Sequence, residues 1–196
     1  MPLATETAHL SPEAYLEWEK LNEIKHEYLN GEVFALAGAK DAHVTVCGNL
    51  FVQLHSHLRG GPCRPYMADM KVSVEKANAF FYPDILITCD DRDRETEYFK
   101  GFPILIVEVL AESTAAYDRG GKFSAYRKLD SLLEYVLVDP DTMGVDCFRL
   151  DETTAHWVLY PFTAGEMVEF ASIGFSAPIE SFYENVEQVR QVPPAV

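Results

Sequence analysis

The chain has 196 residues, 48% of them apolar, enough for an ordinary globular core and too many for a disordered polymer. Thirty-one acidic residues against sixteen basic ones leave a formal charge of -15, which argues against a surface built for long-range capture of a polyanion. No uninterrupted apolar stretch is long enough for a bilayer crossing, and Met1 to Leu10 hold no basic patch leading into an apolar run, so the expectation is a cytoplasmic protein without a membrane partner.

In chain order, Ser11-Pro12-Glu13 predicts a helix start, with Ser as the cap, Pro in the first turn and an acid at the positive dipole end; the helix should run to about Leu21. Asn30-Gly31 between two apolar-rich runs (residues 26–36) predicts a hairpin, because a type I′ turn needs two positive-φ residues. From Asp41 to Arg59 the apolar spacing turns helical. Val44, Cys47, Phe51, Leu54 and Leu58 should share the buried face, with Asp41 as the N-cap. Three strands are expected at Tyr66–Glu75, Phe80–Thr88 and Ile104–Leu110, and the charged stretch Asp90–Lys100 reads as a solvated loop. A helix over Thr114–Leu129 and a strand over Glu134–Val138 follow, the latter closed by the turn Asp139-Pro140-Asp141. Gly144–Leu150, His156–Pro161 and Met167–Phe170 read as an antiparallel meander, Glu180–Val189 as a short helix, and residues 191–196 as a loose tail. Cys47, Cys63, Cys89 and Cys147 show no C-x-x-C pair, and free thiols are the expectation in a cytosolic chain.

The central order of helix, three strands, helix and strand predicts one mixed α/β domain over residues 1–196, a central sheet flanked by helices, with an N-terminal helix and hairpin and a C-terminal meander. Two carboxylates stand out in it. Glu108 lies inside Ile104-Leu105-Ile106-Val107-Glu108-Val109-Leu110, a run apolar enough for a strand buried on both faces, where an ionised carboxylate is costly unless paired or bound to a cation. Asp84 follows Pro83 and precedes Ile85-Leu86-Ile87 in the preceding strand. Mg2+ or Mn2+ would explain two such acids, since hard cations choose carboxylate oxygens and can lower the pKa of water for phosphodiester hydrolysis.

Pro83-Asp84 followed on the next strand by Glu108-Val109-Leu110 resembles the PD-(D/E)XK signature of restriction-type nucleases. The wider pattern resembles the Uma-type family of restriction-endonuclease-like proteins. It comprises His26-Glu27-Tyr28-Leu29-Asn30-Gly31-Glu32, His43, Tyr82-Pro83-Asp84, Val107-Glu108-Val109-Leu110, Ser113-Thr114, Asp118, Lys122, Tyr126, Glu134-Tyr135 and Asp139-Pro140, and covers about Ser11 to Pro161. The resemblance implies a restriction-endonuclease-like core and a metal-dependent endonuclease acting on DNA, with Asp84 and Glu108 as metal ligands. The position of the signature lysine is Leu110; the resemblance implies a lysine moved to the following helix, which fits Lys122. Asp118, Lys122 and Tyr126 are four apart and share a helical face. Gly120-Gly121, costly inside a helix, marks either a helix start at Asp118 or a close backbone approach. Glu27 is the further carboxylate that the resemblance places near the metal, with Glu32 as its competitor.

Each residue also has a plainer reading: Asp84 as a turn residue, Glu108 as a buried ion-pair partner, Lys122 as a solvated helix lysine, Asp118 as a cap and Tyr126 as a core-edge aromatic. Zinc on His43, Cys47, His55 and His57 is disfavoured, because Cys47 falls on the apolar face and the two later histidines point to different sides of the helix. A homodimer would let two sites cut two strands. The rival functions are a catalytically inactive nuclease-fold binding module, supported by Leu110 and the acidic charge, and a hydrolase of a small phosphodiester.

Overall fold

The computed structural model describes residues 9–187 and Val189; the tail expected from residue 191 lies outside the described residues. Helix α1 (Pro12–Glu19) is capped as expected, with Ser11 Oγ accepting from Ala14 N at 3.2 Å, and stops two residues short of Leu21. Strands β1 (His26–Leu29) and β2 (Glu32–Ala35) pair antiparallel across Asn30 (φ 51°) and Gly31 (φ 95°), the two left-handed residues that a type I′ turn requires. Helix α2 (Asp41–His57) buries Val46, Cys47, Leu50 and Leu54, while Val44 is 57% exposed. The buried stripe is rotated from the expected one. The C-terminal segment explains this, for Asn49 and Gln53 donate to backbone oxygens of Phe182, Glu184 and Ser181 and fix which side of α2 is covered. Lys40, not Asp41, is the N-cap residue.

The expected strands Tyr66–Glu75 and Phe80–Thr88 each break in two. The first gives β3 (Arg64–Met67) and β4 (Lys71–Val74), the second β5 (Ala79–Phe81) and β6 (Ile85–Thr88). The halves join different sheets. One break follows Ala68, at φ 54°; the other is Tyr82-Pro83-Asp84, where proline has no N–H to continue a ladder. Then come β7 (Phe99–Lys100), β8 (Pro103–Val109), a helical run over 115–126 designated α3, β9 (Glu134–Asp139), β10 (Gly144–Asp151), β11 (His156–Phe162), β12 (Met167–Phe170) and β13 (Phe175–Pro178). The six-stranded sheet has the order β11-β10-β9-β8-β6-β3, the five-stranded sheet β2-β1-β5-β4-β7, and β12 and β13 pair on their own. In the large sheet β8 and β9 are parallel, joined over the top by α3 in a βαβ crossover, and the other neighbours are antiparallel. The expected meander therefore holds for β10 and β11, whereas β12 leaves it to pair with β13. The expected helix at 180–189 is a single 3₁₀ segment, Ile179–Tyr183.

Alternation along β8 sends Leu105, Val107 and Val109 into the core shared with α2, and Ile106 and Leu110 into the core shared with Tyr126 and Leu129. A third cluster, of Tyr15, Tyr28, Val33 and Phe80, seats α1 on the five-stranded sheet. Two expectations are corrected. The stretch Asp90–Lys100 is not simply solvated: Asp93 is 2% and Lys100 3% exposed. Asp93 accepts from Gly101 N and Phe102 N at 2.7 and 3.1 Å, and Lys100 Nζ donates to the carbonyls of Asp93 and Thr96, so this loop is closed on its own backbone. Nor are all thiols free. Cys63 and Cys89 form a disulfide because they are the pair next beyond Arg64↔Thr88 in the β3–β6 ladder; Cys47 and Cys147 are free and buried.

Candidate metal centre

The break that divides β5 from β6 places Asp84 at the seam between the sheets, one residue before Ile85, which faces Val107 in the β6–β8 ladder. Glu108 follows Val107 on β8, and both it and Asp84 line the same open cleft. Asp84 Oδ2 accepts from Val109 N at 2.7 Å and is 3.4 Å from His43 Nε2. Glu108, 4% exposed, receives Lys122 Nζ at 3.2 Å and the Tyr126 hydroxyl at 3.0 Å.

Helix α3 supplies the amine. Its middle, Asp118–Lys122, is a π turn between two α-helical pieces, Ala115–Tyr117 and Phe123–Tyr126. Such bulges widen the helix and re-aim side chains. Of the two explanations for Gly120-Gly121, the close approach holds: the helix already runs from residue 115, and a Cβ on Gly121 would collide with the Tyr117 ring. Lys122 Nζ then contacts three carboxylates, Glu27 Oε1 at 3.0 Å, Glu108 Oε1 at 3.2 Å and Asp118 Oδ1 at 3.4 Å. Glu27 arrives from β1 and is held by Tyr82 N, which donates to it at 3.2 Å. Glu32, the competitor, is exposed at the far end of the hairpin.

Thus the structure brings together Asp84, Glu108, Lys122 and Glu27, and adds His43, Asp118 and Tyr126. The i, i+4 spacing carried the signal for Asp118 and Tyr126; for His43 there was a place in the family pattern and no local sign of its contact with Asp84. His55 and His57 stay apart from the group, His57 Nε2 lying 2.9 Å from the carbonyl of Ile173. An open cleft of about 450 Å³ reaches the cluster, with His43, Tyr82, Asp84, Glu108, Asp118 and Lys122 in its wall.

Electrostatically the cluster is unbalanced. Burial pushes the Glu108 carboxyl well above its usual range; Lys122 opposes this, and the neighbouring acids Asp84, Asp118 and Glu27 add to it. Burial also raises Glu27, against the pull of Lys122. For Lys122 burial works toward the neutral amine, but Glu108, Glu27 and Asp118 outweigh it and hold the ammonium firmly charged. Tyr126 is kept a neutral donor by burial and the adjacent Glu108. Three carboxylates meet one ammonium while Asp84 pairs with His43, and the buried Asp118 Oδ1, 3.4 Å from Lys122 Nζ, accepts no hydrogen bond. An oxygen-rich pocket whose carboxylates outnumber its ammonium is the donor set that a hard divalent cation takes, so the residues present fit Mg2+ or Mn2+.

A mixed sheet with a βαβ crossover, Asp84 just before β6 and the buried Glu108 late in β8 make a restriction-endonuclease-like core. The solved structure of a "putative nuclease belonging to DUF820" from Anabaena variabilis has the same architecture: TM-score 0.73 at 16% identity, over 89% of this chain and 98% of that one. The profile of the Uma2 family, described as "Putative restriction endonuclease", matches residues 12–180, and the chain belongs to that family. Two uncharacterized proteins of Synechocystis sp. are similar, one 36% identical over 90% of this chain and 93% of its own, the other 29% identical over 77% and 84%.

Proposed function

We propose that the chain is a Mg2+- or Mn2+-dependent endonuclease that hydrolyses phosphodiester bonds of DNA. The observation that carries this reading is the buried Glu108–Lys122 pair in the wall of an open cleft that Asp84 also lines. Asp84 and Glu108 would hold the cation, with Asp118 as an outer carboxylate. When bound, the cation supplies a lowered water pKa and neutralises charge on the phosphoryl oxygens.

The chain's own residues supply the rest. Lys122, kept charged by its three acids, serves as a hydrogen-bond donor to the attacking water and to the negative charge that develops, not as the base that removes a proton. Glu27 positions Lys122 from behind, and Tyr126 fixes Glu108 Oε1. The amine missing at Leu110, a buried core residue, is thereby replaced from α3. Homodimer formation would allow both strands to be cut.

The test is cleavage of DNA and RNA substrates with Mg2+ and Mn2+ beside Asp84→Ala and Lys122→Ala, with calorimetric Mn2+ titration. Wild-type cleavage and Mn2+ binding, both lost in Asp84→Ala, are expected. Cleavage that survives both substitutions ends the reading. Mn2+ binding without cleavage of any polymer would favour an inactive binding module or a small phosphodiester as substrate.

A further inference from the structure

Beside the oxygen-rich position lies a second group of donors of a different chemical kind. His43 and Cys47 stand one helical turn apart on α2, and both reach the seam where Asp84 begins β6. One ligand atom each from His43, Cys47 and Asp84 can be chosen so that all three lie within 4.8 Å of one another. His43 Nε2 is 3.4 Å from Asp84 Oδ2, and Cys47 Sγ is 3.8 Å from His43 Nδ1. In tetrahedral zinc coordination, with bonds of about 2.0 to 2.3 Å, neighbouring ligand atoms sit roughly 3.5 Å apart. The His43 Nε2–Asp84 Oδ2 separation already matches; the 3.8 Å contact of Cys47 is to the other ring nitrogen, so the imidazole or the thiol must turn for all three donors, which lie within 4.8 Å of one another, to close on one ion.

We propose that His43, Cys47 and Asp84 form a second cation position, selective for zinc-class ions, that competes with the hard-cation position for the shared Asp84 carboxylate. It rests on the proposed function only for the role of Asp84 in that hard position. Thiolate and imidazole select borderline ions such as Zn2+ and Co2+ and are poor ligands for Mg2+. Three protein ligands leave a fourth position to water, which the cleft beside His43 and Asp84 can deliver. Cys47 is buried and free of any disulfide. As the Sγ–metal bond forms, the thiol proton leaves to solvent. An ion held there occupies the Asp84 carboxylate on its α2 side, where His43 already meets it. Zn2+ therefore inhibits the Mn2+-supported reaction at the same carboxylate that supports it.

The full chain is titrated with Co2+ and watched for the near-ultraviolet thiolate-to-cobalt charge-transfer band. The expected result is a saturable band in wild type, displaced by Zn2+, absent in Cys47→Ser, weakened on the order of tenfold or more in affinity in His43→Ala, and retained in Glu108→Ala. Zn2+ inhibition, measured against each protein's own zinc-free rate, should shift to higher concentration by a similar factor in Cys47→Ser. Should Cys47→Ser fail to fold, His43→Ala, whose residue lies at the cleft wall, carries the same comparison. No band in wild type, or a band unchanged in Cys47→Ser, overturns the inference. The two readings separate cleanly. A Co2+ band without hydrolysis sinks only the proposed enzyme, and hydrolysis without a band sinks only the zinc position.

Discussion

Lys122 is where the energetics of the candidate site concentrate. It is the one cation set among Glu27, Glu108 and Asp118, all buried. Removing one partner from a buried ion cluster leaves charge uncompensated and costs about 3–5 kcal/mol. Lys122→Ala is therefore expected to lower the melting temperature strongly in metal-free buffer, and Mn2+ should restore part of the loss, because a divalent cation can neutralise the acids that the amine no longer faces. Thermal melts with and without Mn2+ check this; a variant as stable as wild type without metal would show that Lys122 is solvated. Tyr126→Phe removes only the hydroxyl that holds Glu108 Oε1. A hydrogen bond to a charged group contributes about 1.5–3 kcal/mol, so a fall of that size in chemical denaturation is expected, with a larger fall in the cleavage rate than in substrate affinity. Residue identity was legible here. The carboxylate in an apolar strand, the Pro-Asp pair and the four-residue spacing on α3 are local facts. What was not legible was the contact of His43 with Asp84, 41 positions apart in sequence, since no local pattern encodes it.

Among the elements, β3 and β6 are tied by the Cys63–Cys89 disulfide across a sequence separation of 26. Closing a loop of that length removes unfolded-chain entropy worth about 3 kcal/mol. Reduction, or Cys63→Ala with Cys89→Ala, should lower the unfolding free energy by about that amount; an identical denaturation midpoint with and without reductant would mean that the bridge constrains nothing. The π turn of α3 makes a second prediction. In an ordinary helix Gly→Ala gains about 1 kcal/mol, but at Gly121 the new methyl meets the Tyr117 ring. Gly121→Ala is expected to be neutral or destabilising and to displace Lys122, whereas Gly120→Ala, where a Cβ meets nothing within 4 Å, should show the ordinary gain. Equal stabilisation by both would mean that the ring moves aside freely. Element existence was readable from turn chemistry and alternation, as at Asn30-Gly31. The halves of two predicted strands were assigned together because apolar runs such as Phe80–Thr88 continue across the break, and local alternation does not say which sheet each half joins.

For the molecule as a whole, a charge of -15 is the dominant long-range fact. Acidic protein and DNA repel at distance, and salt shortens that repulsion from a screening length of about 30 Å at 0.01 M to about 10 Å at 0.1 M. Association with a short duplex should therefore quicken as salt rises through that range, opposite to the behaviour of a basic nuclease. Stopped-flow binding measures this, and a rate that falls throughout would reveal a concentrated basic groove. No helix among the described residues is long and apolar enough to cross a membrane. By itself the sequence determined the family and most of the order of elements, and singled out Asp84 and Glu108, because turn signals, strand alternation and short motifs act over a few residues. Only the tertiary structure decided the division into two sheets, the pairing of Cys63 with Cys89, the face that α2 buries and the approach of His43 and Cys47 to Asp84. Each of these depends on which distant segments exclude water from one another, and that is settled when the whole chain packs.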